Sequence, residues 1–351
     1  MLFGKKDHLV GLDIGSRAIK VAEIVERKKG RTLEKFGMIE IAPGFIEEGA
    51  IKEPEAVADT IRQLYKTYNV KEHNVAISIG GYSVIVKKIN VQNMTEEQLQ
   101  ETIHFEAEQY IPFDINDVNL DFQILGENEQ NPNQMSVLLV AAKKEMINDY
   151  INLTQMAGLN PCIIDVDAFA LQNVFEANYD VGADNIALID IGASKTSLNI
   201  LKGSNSVFMR DVSLGCSQIN QKIASIVDCS FEEAELIKFG DQTEKITTEE
   251  LSDIASSIVA DWCTEIRRAL DFFYSTYPDD QIKQIVISGG GGNINEFRQL
   301  LAVETSAEVN TINPFQNFIV DDGRFDKSYL ERIAPQASIC MGLATRRVND
   351  K

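Results

Sequence analysis

Two stretches of the chain repeat one pattern: an apolar run, a single acid, a glycine, and a second apolar run. The first is His8-Leu9-Val10-Gly11-Leu12, then Asp13-Ile14-Gly15-Ser16, then Ala18-Ile19-Lys20-Val21-Ala22-Glu23-Ile24-Val25. The second is Ile186-Ala187-Leu188-Ile189, then Asp190-Ile191-Gly192-Ala193, then Thr196-Ser197-Leu198-Asn199-Ile200-Leu201. Short apolar runs bounded by turn residues read as buried strands. Each copy therefore predicts a tight hairpin with a carboxylate at the end of its first strand. A third strand is predicted after each, at 33–41 and 206–213.

Elsewhere the period changes. Val57, Ile61, Leu64, Tyr65 and Tyr68 recur at helical spacing and predict a helix over 54–68. Pro54 suits its first position, and Glu53 and Glu55 suit its positive end. Strands at 75–79 and 84–91 follow, joined through Gly80-Gly81. At Gln92 the pattern shifts: Thr95-Glu96-Glu97-Gln98 reads as a capped helix start, and Pro112 ends that helix. Strands at 118–125 and 135–142 flank a polar turn at 127–133, and a helix at 145–157 closes at Gly158. This α-β-β-α run, residues 92–158, predicts a small subdomain inserted into the first lobe. A strand at 162–166 and a helix at 167–176 lead back out of it. The second half predicts helices at 216–227, 231–239 and 248–277, the last stopped by Pro278 and carrying Phe272-Phe273-Tyr274 into the lobe interior. A strand at 282–287, a helix at 294–302 and a closing helix at 336–347 complete the reading.

At 351 residues the chain exceeds what one core fills, so two α/β lobes are expected. The first takes 1–91 and 159–180, the second 181–335, and 336–351 returns to the first. No run of 18 apolar residues occurs and the opening residues lack a secretory signal, which predicts a cytoplasmic protein. The five cysteines are scattered without a Cys-x-x-Cys pair, which favours core thiols over disulfides or zinc. His8, His73 and His104 have no metal spacing. A net charge of −20 repels nucleic acid and anionic lipid, so neither is expected as a direct partner.

Gly15 and Gly192 stand where a hairpin turns sharply and backbone N–H groups can approach phosphate oxygens. Ser16, Ser194 and Thr196 add hydroxyl donors, and Arg17 and Lys195 add positive charge beside Ala193. Asp13 and Asp190 suit Mg²⁺, held through its waters because that ion dehydrates reluctantly. One Asp-Ile-Gly alone is compatible with a bare strand-ending turn. Two in matching contexts point to a pair of cradles around one triphosphate. Ser288-Gly289-Gly290-Gly291-Gly292 follows an apolar strand and costs folding entropy; close passage of a flat ring such as adenine would justify it, against the alternative of a flexible connection. No Gly-x-x-x-x-Gly-Lys-Ser/Thr loop occurs, nor a Gly-x-Gly-x-x-Gly after the first strand.

The two hairpins and the glycine run resemble the superfamily of actin, sugar kinases and DnaK-type chaperones. Within it, Phe3-Gly4-Lys5-Lys6, Val10 to Ser16, Ile19-Lys20-Val21 and Phe105-Glu106-Ala107-Glu108-Gln109-Tyr110-Ile111-Pro112-Phe113 are similar to the PilM family of type IV pilus assembly, related to FtsA. The resemblance implies an actin-like (ribonuclease H-like) two-lobed fold, ATP and Mg²⁺ as ligands, and a scaffold at the inner membrane. It also implies that the cytoplasmic N-terminal peptide of PilN lies in a groove between first lobe and insert, with the pilus motor ATPase as a further contact. Glu235 and Lys238 match a helix that contacts ribose and adenine in actin-like relatives; a plain surface ion pair is the alternative. Asp167 stands where this superfamily places a polar residue near the attacking water; the alternative is a helix N-cap. Phe105, Tyr110, Ile111 and Phe113 are open between insert core and partner groove. Weak Mg-dependent ATPase activity is left open, as are an FtsA-like filament and a small-molecule kinase. Residues 339–351 carry no amphipathic helix of the kind that anchors FtsA-like proteins.

Overall fold

The computed structural model describes residues 8–128, 131–182, 184–238, 245–348 and 350. Phe3-Gly4-Lys5-Lys6 and the last residue of the helix expected at 231–239 lie outside them. The first lobe begins with β1 (Val10–Ile14), β2 (Ala18–Arg27) and β3 (Gly30–Glu40), an antiparallel meander. A short ribbon of β4 (Ile46–Glu47) and β5 (Ala50–Ile51) precedes α1 (Pro54–Tyr68), which crosses over to β6 (Asn74–Ile79). Then come β7 (Val84–Gln92), α2 (Glu96–Glu108), β8 (Val118–Asn128), β9 (Asn131–Lys143) and α3 (Lys144–Met156). β10 (Asn160–Val166) returns to the main sheet and α4 (Asp167–Asn178) passes between the lobes. The second lobe repeats the meander as β11 (Asn185–Ile191), β12 (Thr196–Lys202) and β13 (Asn205–Val212). After it come α5 (Ser217–Val227), α6 (Phe231–Lys238), α7 (Thr248–Thr276), β14 (Ile282–Ser288), α8 (Asn295–Thr305), β15 (Glu308–Thr311), α9 (Lys327–Ile333) and α10 (Ser338–Ala344).

The two main sheets have one topology, β10-β6-β1-β2-β3 and β13-β12-β11-β14-β15. In each the meander is antiparallel, and the two strands beyond the first pair parallel to it. Every residue of β1 and β11 is buried, as expected for central strands covered on both faces. Local chemistry agrees with the ends of the helices. Pro54 opens α1, Asn69 ends it at φ 51°, and Thr95 with Gln98 forms a capping box on α2.

Pairing moves the insert's borders. β7, assigned by sequence to the first lobe, joins the three-stranded sheet β7-β9-β8, so the insert starts at Val84 rather than at 92. α3 leaves the insert: Tyr150, Leu153 and Ala157 pack with Val57, Ile61 and Leu64 in the first-lobe core. Of the polar turn expected over 127–133, residues 129–130 lie outside the described residues, and Glu127 and Asn128 are paired with Met135 and Asn131. The closing helix is also shorter than 336–347; its first turn is a 3₁₀ turn at Ala334–Ala337. Leu99, Ile103, Ala107 and Ile111 fill the insert core, whereas Phe105 is 78% exposed. Tyr110 and Phe113 lie half-buried under the ammonium groups of Lys87 and Lys143. On α7, Phe273 is buried but Phe272, expected inside, is exposed against Phe208.

Behind the cleft the lobes share one apolar core. Ala22, Ile24 and Leu33 come from the first sheet, and Ile186, Leu188, Leu201 and Val286 from the second. Leu171 and Phe175 of α4 and Met341 of α10 lie between them. The crossing is tight: a Cβ on Gly342 would sit 1.8 Å from the Ala170 carbonyl oxygen. These contacts bring the ends of β1 and β11 to a common site.

Candidate nucleotide site

The two hairpins close alike. Gly15 N–H donates to the Ala18 carbonyl at 3.1 Å, and Gly192 N–H to that of Lys195 at 2.9 Å. A Cβ on either glycine would crowd the receiving oxygen, at 2.9 and 3.2 Å. Across the gap, the Ser16 and Ser194 hydroxyls are hydrogen-bonded at 3.0 Å. The turns therefore line one interlobe cavity of about 910 Å³.

Under the turns lie three carboxylates, those of Asp13 and Asp190 buried and that of Asp167 half-buried. Asp13 sits opposite Lys20 on β2 and accepts from its Nζ at 2.8 Å. Burial alone would lower the Lys20 ammonium, but the charge and hydrogen bond of Asp13 raise it. Asp167 accepts from Ser78 Oγ at 2.6 Å and from Lys195 Nζ at 2.5 Å. Burial works to raise its carboxyl, yet Lys195, Ser78 and Lys20 together hold it below the ordinary carboxylate range. Among the described residues Asp190 has no lysine paired with it. Burial pushes it up to about 6; the neighbouring Ser288 hydroxyl works against this, and the charges of Asp167 and Asp13 work with it. Three carboxylates against two ammonium groups leave the site short of positive charge. Among the described residues no three acidic, histidine or cysteine side chains converge to hold a metal ion directly, so a hard cation here would be held through its waters.

The cleft mouth is crossed by charge pairs. Arg17 of the first lobe pairs with Glu235 on α6, donates to the Ile41 carbonyl at 3.0 Å, and stacks over Phe231. Glu235 also lies 3.5 Å from Lys238. On the far wall, Gly289 has φ +80° in the turn after β14, and a Cβ there would meet the Ile191 carbonyl oxygen at 2.3 Å. Beside the cleft, at a separate smaller pocket, Asp211 of β13 accepts from Gly81 N–H at 2.6 Å and ties the loop before β7 to the second lobe.

A family model described as type IV pilus assembly protein PilM matches residues 11–348. The chain belongs to the PilM family. A chain of a PilM–PilN type IV pilus biogenesis complex is 27% identical, with 96% of this chain and 98% of that one covered and a TM-score of 0.85. EutJ, an ethanolamine utilization protein of Carboxydothermus hydrogenoformans, is similar in fold alone: 13% identity, 96% and 88% covered, TM-score 0.58. So is MreB 5 of Spiroplasma citri, solved bound to AMPPNP, at 11% identity, 97% and 95% covered and TM-score 0.52. The fold is thus the actin-like ATPase fold, with a small α+β insert in its first lobe. Among the described residues no helix is long and apolar enough to cross a membrane.

In this PilM-family chain, the cavity gathers most of the residues singled out by sequence. Asp13, Gly15, Ser16, Arg17, Asp167, Asp190, Gly192, Ala193, Ser194, Lys195, Glu235, Lys238, Gly289 and Gly290 all line it. Three do not. Thr196 is fully buried and donates to the Leu214 carbonyl, because alternation along β12 turns it away from the turn. Gly291 packs on Ile191, and Gly292 faces Pro335, Ile287 and Thr311. Asp167 is no cap either: Val166 holds that place, and both Asp167 oxygens point into the cleft network. Arg17 and Lys195 are already engaged by carboxylates rather than free for phosphate. Sequence reasoning missed Lys20 and Ser78. A lysine inside the apolar run of β2, in register with Asp13, was the one available signal.

Proposed function

We propose that this chain is an ATP-binding scaffold of type IV pilus assembly. It works in the cytoplasm and reaches the inner membrane through partners, holding the cytoplasmic N-terminal peptide of PilN between first lobe and insert. The observation that carries the nucleotide reading is the meeting of two acidic hairpins over one cavity at Ser16 and Ser194. The PilN reading is supported by likeness over nearly the whole length to a chain of a PilM–PilN complex.

In this reading the Gly15-Ser16 and Gly192-Ala193-Ser194 turns take the phosphates, with Lys195 adding its charge from its place beside Asp167. Asp190 and Asp13 would hold Mg²⁺ through its waters, and the cation would supply the charge that the three carboxylates and a triphosphate together lack. Glu235 and Lys238 border the ribose, and Gly289-Gly290 pass under the base. A carboxylate kept ionised by a lysine and a serine is a poor proton acceptor. Asp167 therefore serves to orient water or a metal-bound water rather than as a strong base, which disfavours the small-molecule kinase reading. The motor ATPase contact is part of the same proposal. Calorimetry tests it: Mg-ATP is expected to bind once per chain, and a PilN N-terminal peptide once. Absence of peptide binding would remove the scaffold role.

A further inference from the structure

β1 runs towards the cleft and ends at Asp13 and Ile14, so β2 runs away from it and turns into β3 at the far end of the first-lobe sheet. Arg27 pairs with Gly30 across that turn, which leaves Lys28 and Lys29 as its two tip residues, both exposed. Neither has an ion pair among the described residues. The arginines beside them share a few acids. Glu26 lies 3.5 Å from Arg31 and 3.6 Å from Arg347. Glu34 takes Arg27 and, at 2.9 Å, Arg324, which also lies 3.4 Å from Asp321. These two lysines and four arginines thus outnumber Glu26, Glu34, Asp321 and the exposed Asp322, in a chain whose net charge is −20. An apolar side chain stands in the same place. Ile319 is 42% exposed, its N–H donates to the Arg31 carbonyl at 2.8 Å, and its Cδ1 lies where a Cβ on Gly30 would meet it at 3.6 Å. Its neighbour Phe318 is buried in the core between the lobes, which fixes Ile319 beside the turn.

We infer that this turn docks directly on an anionic lipid bilayer, with Lys28 and Lys29 against the headgroup phosphates and Ile319 at the acyl boundary. An aliphatic side chain among unpaired ammonium groups matches that boundary, which is charged on one side and apolar on the other. Nucleic acid offers the isoleucine no such layer. The chain's overall charge opposes the contact only at long range, because charges more than about 8 Å from the surface are screened at physiological ionic strength. Each basic residue against an anionic leaflet gains about fivefold in affinity, so the two lysines give roughly 25-fold. That is too little to anchor a protein by itself and enough to orient one that a partner peptide already holds nearby. The contact adds a second, direct attachment to the scaffold reading and is independent of the nucleotide.

The experiment floats the full-length protein with vesicles of phosphatidylcholine alone and of phosphatidylcholine mixed with phosphatidylglycerol. Wild type is expected to bind the mixed vesicles at least about tenfold more tightly, and to lose that preference in high salt. Lys28→Glu with Lys29→Glu should abolish the preference while the thermal midpoint stays where it was, since both side chains are exposed. Ile319→Ser should weaken binding to the mixed vesicles by about threefold and leave its salt dependence unchanged. Equal affinity of wild type for the two vesicles would overturn the inference. So would a preference that survives the double lysine variant, which would put the contact elsewhere. Full binding by Ile319→Ser would overturn it as well, as attraction to any polyanion. PilN peptide binding, measured by calorimetry in the same variants, is expected to be unchanged; its absence in wild type would sink the scaffold role and leave the lipid contact standing.

Discussion

In the first lobe the acid of the hairpin faces a lysine across the strands; in the second it faces a serine. The backbones are equivalent, with Asp13 in register with Lys20 and Asp190 with Ser197. The burial is equivalent too, at 7% and 9% exposure. The cross-strand residue alone makes one carboxylate a settled ion pair and leaves the other in want of charge. A duplicated fold has thus specialised: one acid holds its lobe together, and the other is the place where an incoming cation gains most.

The largest expected effect breaks the first half of that contrast. Lys20→Met leaves Asp13 buried without its partner and should cost about 3–5 kcal/mol in urea unfolding at neutral pH. A loss below about 1 kcal/mol would mean that the pair is not a unit. The second half carries the opposite sign. The folded-state value of Asp190, about 6, lies above its ordinary value of 3.8. Its contribution to stability is therefore fully present below about pH 4 and is lost as pH rises through about 6. Two pKa units correspond to roughly 3 kcal/mol. Asp190→Asn should abolish that decline, making the ligand-free variant more stable than wild type at pH 7.5 but not at pH 4, as denaturant midpoints would record. Mg-ATP should erase the same difference if the cation sits at Asp190.

Smaller effects sharpen the comparison at its edges. A Cβ on Gly80 would stand 2.2 Å from Lys195 Nζ and 2.5 Å from Asp167 Oδ2. Gly80→Ala should push that pair apart at a cost of about 1–3 kcal/mol, visible as a lower thermal midpoint. Ser16→Ala removes one neutral hydrogen bond between the lobes, and about 0.5–1.5 kcal/mol is expected by the same measurement.

The hairpins were legible in the sequence because central strands leave an unbroken apolar record and the acid and glycine interrupt it at fixed offsets. The ends of α1 and α2 were legible because Pro54, Thr95 and Gln98 act on their own neighbours. Allegiance was not. An alternating strand such as β7 reads the same whichever sheet it joins, and the apolar stripe of α3 says nothing about whether α1 or the insert will cover it. β15 is a short edge strand, Glu308-Val309-Asn310-Thr311, too polar to stand out. In the site, residue types were readable but side-chain direction was not, hence the displacement of Thr196, Gly291 and Gly292. Lys20 was hidden by its apolar neighbours.

The core between the sheets is apolar on both sides, so what joins the lobes at the back has little directional preference. Ala22, Ile24, Leu188 and Met341 are packed together there, and separating them forfeits contact at every one. At the front, the Ser16–Ser194 and Gly81–Asp211 hydrogen bonds are short-ranged and fail abruptly with displacement. The lobes are thus joined at the back by shape alone and at the front by direction-sensitive bonds, of which the Ser16–Ser194 contact stands where the phosphates would enter.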